Sequence, residues 1–491
     1  MVNSSSFVQF DWQAIAAQFS RVLDPDRVVR HQEDLIAYEC DGLTSYRQQP
    51  AIAVLPKTTD EVAAVIKICH QQQIPFVARG SGTGLSGGAL PLANSVLIVT
   101  ALMKKILAID LENQRIVVQP GVINNWVTQA VSGKGFYYAP DPSSQVICSI
   151  GGNVAENSGG VHCLKYGVTT NHVLGLKVVL PTGEIAEFGS QMLETPGYDL
   201  TGLFVGSEGT LGMATEITLK LLKTPPTIRV LLADFTTVEA AAATVSDIIA
   251  AGIIPGGMEM MDNMSINAVE DTVATGAYPR DAAAILLVEV DGLEVETDAN
   301  ARQVAHICRQ NGARNIAIAT DLETRLKLWK GRKAAFAAMG KVSPDYYVQD
   351  GVIPRTKLTF VLGEIAKLGD RFGYPVANVF HAGDGNLHPL IPFDQKQPGS
   401  LERVEELAGE ILKLCVRVGG SISGEHGIGA DKRCYMPEMF SPSDLETMQW
   451  VRSVFDPQQI ANPGKIFPTP RTCGEAAKSQ AVTSHAGALR F

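Results

Sequence analysis

Five glycines, Gly80, Gly82, Gly84, Gly87 and Gly88, fall within nine residues of the stretch IPFVARGSGTGLSGGALP, directly after a short apolar strand from Ile74 to Ala78. Regular structure does not form at that glycine density, because each glycine loses the most backbone freedom on ordering. Such a loop can turn at positive φ, admit a close neighbour and present successive N–H groups, here joined by the hydroxyls of Ser81, Thr83 and Ser86. A diphosphate suits it. Gly82-Thr-Gly84-Leu-Ser-Gly87 also matches GxGxxG, but a dinucleotide-binding βαβ unit needs a helix straight after the glycines and an acidic residue ending the next strand. Gly88-Ala-Leu-Pro91 blocks the helix, and the strand Ser95 to Val99 runs into Thr100 and Ala101. The loop therefore joins two strands, and the Rossmann reading is rejected.

The chain has 491 residues, enough for two or three domains with sizeable cores. Apolar residues at 45 % and charged ones at 19 % describe an ordinary globular protein. Lys and Arg number 41 against 51 Asp and Glu, and the net charge of −10 gives nucleic acid no footing. The first residues, MVNSSSFVQFDWQ, lack the basic and apolar regions of a secretory signal, and no window approaches the roughly 18 apolar residues of a membrane span. A cytoplasmic protein is expected, with docking to the inner face of a membrane through a partner left open. The eight cysteines contain no CxxC pair, which argues against zinc knuckles, a redox dithiol and an in-chain iron–sulfur cluster, and free buried thiols are expected.

From Ala51 the pattern alternates strand, helix (N-cap Thr59 or Asp60), glycine loop and two further strands, the second folding back at Glu112-Asn113. A helix then ends on Gly135. Tyr138 to Gly160 reads as a second glycine-rich loop with no regular element, long enough to suggest a functional role. Thr224-Pro-Pro226 marks a boundary after a first domain, 1–223. Beyond it, strand–helix alternation gives an α+β layer of ferredoxin-like flavour over 224–434. A C-terminal segment occupies 435–470, and a loose polar tail 471–491. On the helix around TRLKLWKGRKAAFAAMG, Arg332 shares a side with Phe336 and Trp329, although composition alone favours a solvated charge among Lys327, Lys330 and Lys333.

A second constellation lies in VFHAGDGNLHP and SGEHGIG. His381 and His388 flank tight glycine turns, and Glu425 and His426 sit together in another glycine-rich loop. Two imidazoles and a carboxylate with an open position suit a zinc- or manganese-like ion in a catalytic rather than a structural role. Taken singly, each histidine is more often a hydrogen-bonded structural residue, and the sequence does not bring the two loops together.

The motifs RGSGTGLSGG, PDPSSQ with SIGGNVAENSGG, VGSEGTLG, HAGDGNLHP, SGEHGIG and ANPGKI, in that order, make the chain resemble the vanillyl-alcohol-oxidase-type flavoproteins, and within them the FAD-linked D-2-hydroxy-acid dehydrogenases that oxidise glycolate or D-lactate. The resemblance runs from about Ala51 to Pro468. It implies an α+β fold: a two-subdomain FAD-binding domain of the vanillyl-alcohol-oxidase (PCMH) type with an α+β substrate, or cap, domain. It also implies that Arg79, Gly80, Ser81, Gly82, Thr83, Gly84, Gly87 and Gly88 wrap the FAD diphosphate. Pro140, Ser144, Gly151, Gly152, Asn157 and Gly160 would line the flavin, Ile217 would contact the adenine side, and Asn462 would reach back to the flavin. His381, His388 and Glu425 would bind the metal, Arg332 would pair with the substrate carboxylate, and His426 would be the base. The first loop lacks the histidine that holds flavin covalently in some relatives, so non-covalent FAD is expected.

Where relatives acting on 2-hydroxydicarboxylates carry polar residues, this chain has Phe336, Val348 and Leu390, which favours a small monocarboxylate. Electrons would leave to a quinone, or to a second flavin-domain subunit and an iron–sulfur subunit. The alternatives are an oxygen-using oxidase and a non-catalytic flavin-domain subunit, which would need the glycine loops but not the histidine cluster.

Overall fold

The computed structural model describes residues 10–190 and 196–468. The expected loose tail from Thr472 lies outside the described residues. None of the described helices is long and apolar enough to cross a membrane.

The strand Phe76–Arg79 feeds the first glycine loop, which returns as Val96–Val99, parallel to it with no helix between. Ile52–Val54 pairs with Val96–Val99 in parallel, and Val28–Val29 closes a four-stranded sheet on the far edge. The helix Thr59–Gln72 packs on this sheet through Val62, Val65, Ile66 and Cys69. Its N-cap is one residue earlier than Thr59 or Asp60: the Thr58 hydroxyl accepts from Glu61 N–H at 3.2 Å. A five-stranded antiparallel sheet follows in the order Ile106–Asp110, Arg115–Val118, Met213–Lys220, Val173–Val179, Ile185–Gly189.

Tyr138 to Gly160 departs from the expected irregular loop, because Ile150–Glu156 is a helix. Its glycines serve close packing. A Cβ on Gly151 would stand 2.5 Å from Pro120 Cβ, so the helix can lie this close to the preceding turn only with glycine there.

The cap is built on a nine-stranded sheet. Its main path runs Asn315–Ala319, Thr227–Phe235, Ala284–Gly292, Gly257–Asp262, Ala377–His381, Asn386–Leu387, Gly351–Val352. Helices cover both faces and bury separate apolar clusters, one around Val245, Ile248, Val361 and Leu407, the other around Ile266, Val269, Leu328 and Ala335. His162, from the first unit, stands between Asp141 (3.0 Å) and Glu289 of the cap (3.1 Å), and Lys165 reaches Asp291 at 2.7 Å. These contacts tie the cap to the glycine-loop unit.

The C-terminal segment runs back to the first sheet. Phe76 N–H donates to Ile460 O, and Asn462 N–H donates to Phe76 O, both at 2.8 Å. Cys40, Cys69, Cys148, Cys163, Cys308 and Cys415 are free thiols. Cys434 is disulfide-bonded, contrary to the expectation of free thiols throughout.

Candidate active site

Where the two glycine-rich segments face each other they enclose a cavity of about 560 Å³, within the range usual for cofactor sites. Arg79, Gly80, Ser81, Gly82, Thr83, Gly84 and Gly88 line it from the first segment, and Ser144, Gly151 and Gly152 from the second. Ser81 N–H donates to Ser149 Oγ at 3.2 Å, and a Cβ on Gly80 would stand 2.3 Å from that oxygen. The backbone of the first segment therefore packs directly on the Ser149 side chain of the second. Arg79 is buried and gives Nη1 to Cys40 O at 2.7 Å.

Gly87, Pro140, Asn157, Gly160, Ile217 and Asn462 are not in this wall. Pro140 O accepts from buried Asn124, and Asn157 Oδ1 accepts from Thr170 N–H. Ile217 is fully buried in the central strand of the five-stranded sheet, paired on both sides with Val118 and Leu176. The strand's earlier end, Gly212 to Ala214, reaches the cavity instead. Asn462 gives Nδ2 to Gly88 O (3.0 Å) and Glu208 O (2.6 Å), so it fixes the backbone of two cavity segments.

The cap end of the cavity is formed by Lys333, Phe336 and Ala337 on one helix, Tyr346 and Val348 on a strand, and Glu425 with His426. Tertiary folding brings the two histidine-bearing loops together. Glu425 Oε1 lies 3.2 Å from His381 Nε2, 3.0 Å from His388 Nε2 and 4.0 Å from His426 Nε2. The His388 and His426 rings stack with centroids 5.0 Å apart, and Phe336 packs against His388 at 5.7 Å. His388 is 1 % exposed, its Nε2 facing Glu425 and its Nδ1 without a hydrogen-bond partner. Glu425 also faces a smaller cavity of about 180 Å³, shared with His381 and Gly160.

The charges set one another. Burial alone would raise the Glu425 carboxyl, but His381 and His388 hold it well below the usual range. Burial opposes the charged form of His381, yet Glu259 and Glu425 keep its pKa well above normal. His426 has gone the other way: burial pushes it down to about 4 against the pull of Asp350, which leaves the ring neutral near pH 7.

Three carboxylates that the motif reading did not assign organise this site. Glu259 Oε1 holds His381 Nδ1 at 2.6 Å, while its Oε2 accepts from Arg332 Nε at 2.7 Å. Arg332 is thus neither a solvated charge nor part of the cavity wall; it is 1 % exposed and ion-paired, with Nη1 left unpartnered. Asp350 accepts from the N–H groups of Gly424 (3.0 Å), Glu425 (3.3 Å) and His426 (2.9 Å) and pairs with Lys432 at 3.1 Å. Glu208 reaches across from the first unit to accept from Ile428 (2.6 Å) and Gly429 (2.7 Å). Burial raises its pKa to about 7, and raises that of neighbouring Glu156 well above normal. Sequence held one usable signal: Glu259 is an acid set between Met258 and Met260 in the strand GMEMMD, where a buried carboxylate survives only with a partner.

The profile described as "FAD binding domain" matches residues 50–189, and that described as "FAD linked oxidases, C-terminal domain" matches 224–466. The chain is 53 % identical over 464 residues to the glycolate oxidase subunit GlcD of Escherichia coli, covering 94 % of this chain and 92 % of that one. It is 34 % identical to a D-lactate dehydrogenase of Anaerostipes hadrus, covering 90 % and 95 %. A crystal structure of p-cresol methylhydroxylase superposes with a TM-score of 0.78 at 17 % identity, covering 93 % and 96 %, which shows the shared fold.

Proposed function

Because the chain belongs to the FAD-linked oxidases, with that family's FAD-binding domain followed by its C-terminal domain, we propose that it dehydrogenates a small 2-hydroxy monocarboxylate, glycolate to glyoxylate or D-lactate to pyruvate, with non-covalently held FAD. The observation that carries this reading is that Glu425 and His426 stand in the wall of the same cavity that the two glycine segments enclose. Acid–base groups and flavin cradle then share one space.

The cavity fits FAD: Gly80, Gly82, Gly84, Gly88, Gly151 and Gly152 line it with no side chain of their own, and no histidine lies between Arg79 and Gly88 to attach the flavin. FAD, when bound, accepts the hydride leaving Cα. The cluster fits a divalent ion as well, since the Glu425 oxygen lies between the Nε2 atoms of two buried imidazoles, a set of donor atoms that a cation would join. His381, His388 and Glu425 would hold that ion, zinc- or manganese-like, and it would acidify the substrate hydroxyl.

The remaining steps belong to the chain's own residues. His426, neutral near pH 7, takes the hydroxyl proton. Glu259 fixes the His381 ring by its Nδ1, as such outer partners of metal-binding histidines do. Asp350 and Glu208 hold the backbone on either side of His426 from two directions. Arg332 supplies positive charge behind the site, its Nη1 still free for the substrate carboxylate. Phe336 and Val348 stand at the cap end where relatives acting on 2-hydroxydicarboxylates carry polar residues, which suits glycolate or D-lactate better than 2-hydroxyglutarate. Electrons then pass to a quinone or to partner flavin-domain and iron–sulfur subunits.

The test is anaerobic. Glycolate, D-lactate, L-lactate and D-2-hydroxyglutarate are added separately to the purified yellow protein, before and after chelation. Bleaching of the oxidised-flavin band by glycolate or D-lactate, spared by L-lactate and lost on chelation, is the expected result. A flavin reduced by none of them refutes the reaction, and reduction untouched by chelation refutes the metal's part.

A further inference from the structure

The substrate of the proposed reaction is an anion, and it approaches a protein whose net charge is −10. The cavity it must enter is itself lined by the carboxylate of Glu425. A cation facing the cavity is therefore needed. Arg332 is poorly placed to be the first one met, because its Nε and Nη2 lie 2.7 and 2.6 Å from Glu259, both residues are 1 % exposed, and it is absent from the wall. Only its Nη1 is left, behind the wall, for a carboxylate that has already entered. Arg79 lines the other end, where the glycine segment runs.

Lys333 is the next residue along the same helix, Leu322–Ala338, and the geometry reverses there. One residue of helix turns the side chain about 100° away from the Glu259 side. Lys333 thereby shares a face with Phe336 and Ala337, three and four residues on, and all three line the cap end of the cavity with His426. Phe336 in turn touches the His388 ring. Lys333 is exposed and forms no ion pair among the described residues. An exposed ammonium-bearing side chain thus lines the cap end, one helical turn from the side chain packed on the histidine cluster.

We propose that Lys333 is the cation that draws the substrate carboxylate into the cavity and binds it at the cap end; this rests on the reading of the chain as a 2-hydroxy-acid dehydrogenase. Charge at the mouth of a cleft acts on encounter, and a direct ammonium–carboxylate contact acts on KM. Neither alters the hydride step.

The test compares the FAD-loaded wild-type protein with Lys333→Met, Lys333→Arg and Lys330→Met, using glycolate and D-lactate with an artificial acceptor at low and high ionic strength. Binding of oxalate, which is not oxidised, is followed by the change in flavin absorbance. Lys333→Met should raise KM and the oxalate Kd roughly tenfold while kcat stays within about twofold. It should also flatten the fall of kcat/KM with salt. Lys333→Arg should restore both properties. Lys330→Met, which removes the same charge from outside the cavity wall, should resemble wild type. Wild-type KM and salt dependence in Lys333→Met would overturn the role of Lys333 alone, as would an equal effect of Lys330→Met. A flavin-loaded wild type that oxidises neither acid would overturn the role and the reaction together.

Discussion

The replacement Glu259→Gln probes the cap's interior most sharply. Glu259 and Arg332 are each 1 % exposed, and one carboxylate serves both the guanidinium (Nε 2.7 Å, Nη2 2.6 Å) and His381 Nδ1 (2.6 Å). Glutamine keeps the shape, so no cavity forms. It removes the charge that balances buried Arg332 and turns a donor toward either the arginine or the imidazole. Leaving one partner of a buried pair uncompensated costs about 3–5 kcal/mol, a large share of the 5–15 kcal/mol typical of folded proteins. Trp329 is the only tryptophan in residues 224–434 and lies three residues before Arg332. With Trp12, Trp126 and Trp450 replaced by Phe in every protein compared, its fluorescence through a urea titration follows the cap, where the signal of all four tryptophans would mix domains. The midpoint should fall, with the slope unchanged. In the double variant Glu259→Gln, Arg332→Gln neither charge remains, and most of the loss should return. A single variant within about 0.5 kcal/mol of wild type, the scatter of a neutral surface change, would refute the reasoning. So would a double variant no more stable than the single one.

Three further outcomes are expected. Asp41 is 5 % exposed with Oδ2 unpartnered, and burial pushes its pKa up to about 6. The folded state then binds the proton more tightly than the unfolded one, so its contribution is full below about pH 4 and is lost as pH rises through about 6, on the order of 3 kcal/mol. The difference in unfolding free energy between Asp41→Asn and wild type should grow in the variant's favour over that window, and a flat difference would count against it. Gly151→Ala would set a Cβ 2.5 Å from Pro120 Cβ and 3.1 Å from Pro120 O. Overpacking of about 1–3 kcal/mol should shift the helix Ile150–Glu156 and lower the ratio of flavin to protein absorbance, and wild-type flavin content would refute this. In equilibrium dialysis with Zn²⁺ or Mn²⁺, His388→Ala should lose stoichiometric binding, and Glu259→Gln, which touches only the outer partner, should weaken it about 10–100-fold. Full metal content in His388→Ala would remove that residue from the donor set.

Local rules read directly from the residues reached far into this protein. The glycine spacing of Gly80 to Gly88 dictated a strand–loop–strand unit rather than a Rossmann turn, and Pro91 excluded the helix that a Rossmann site needs. Apolar periodicity located the helix Thr59–Gln72, and motif order indicated the family. These properties depend on neighbours a few residues apart, so the linear chain contains them. The helix Ile150–Glu156 escaped because its glycines are chosen for the approach of Pro120, a tertiary demand that overrides helix propensity. Only the tertiary structure decided that His381 and His388 meet Glu425, that Asp350 and Glu208 clamp the loop bearing His426, and that Arg332 faces Glu259 while Lys333 faces the cavity. Each of these turns on burial and on a partner tens to hundreds of residues away. A buried charge is tolerated only where a distant element brings its counter-charge, and nothing local in the sequence records which element that is.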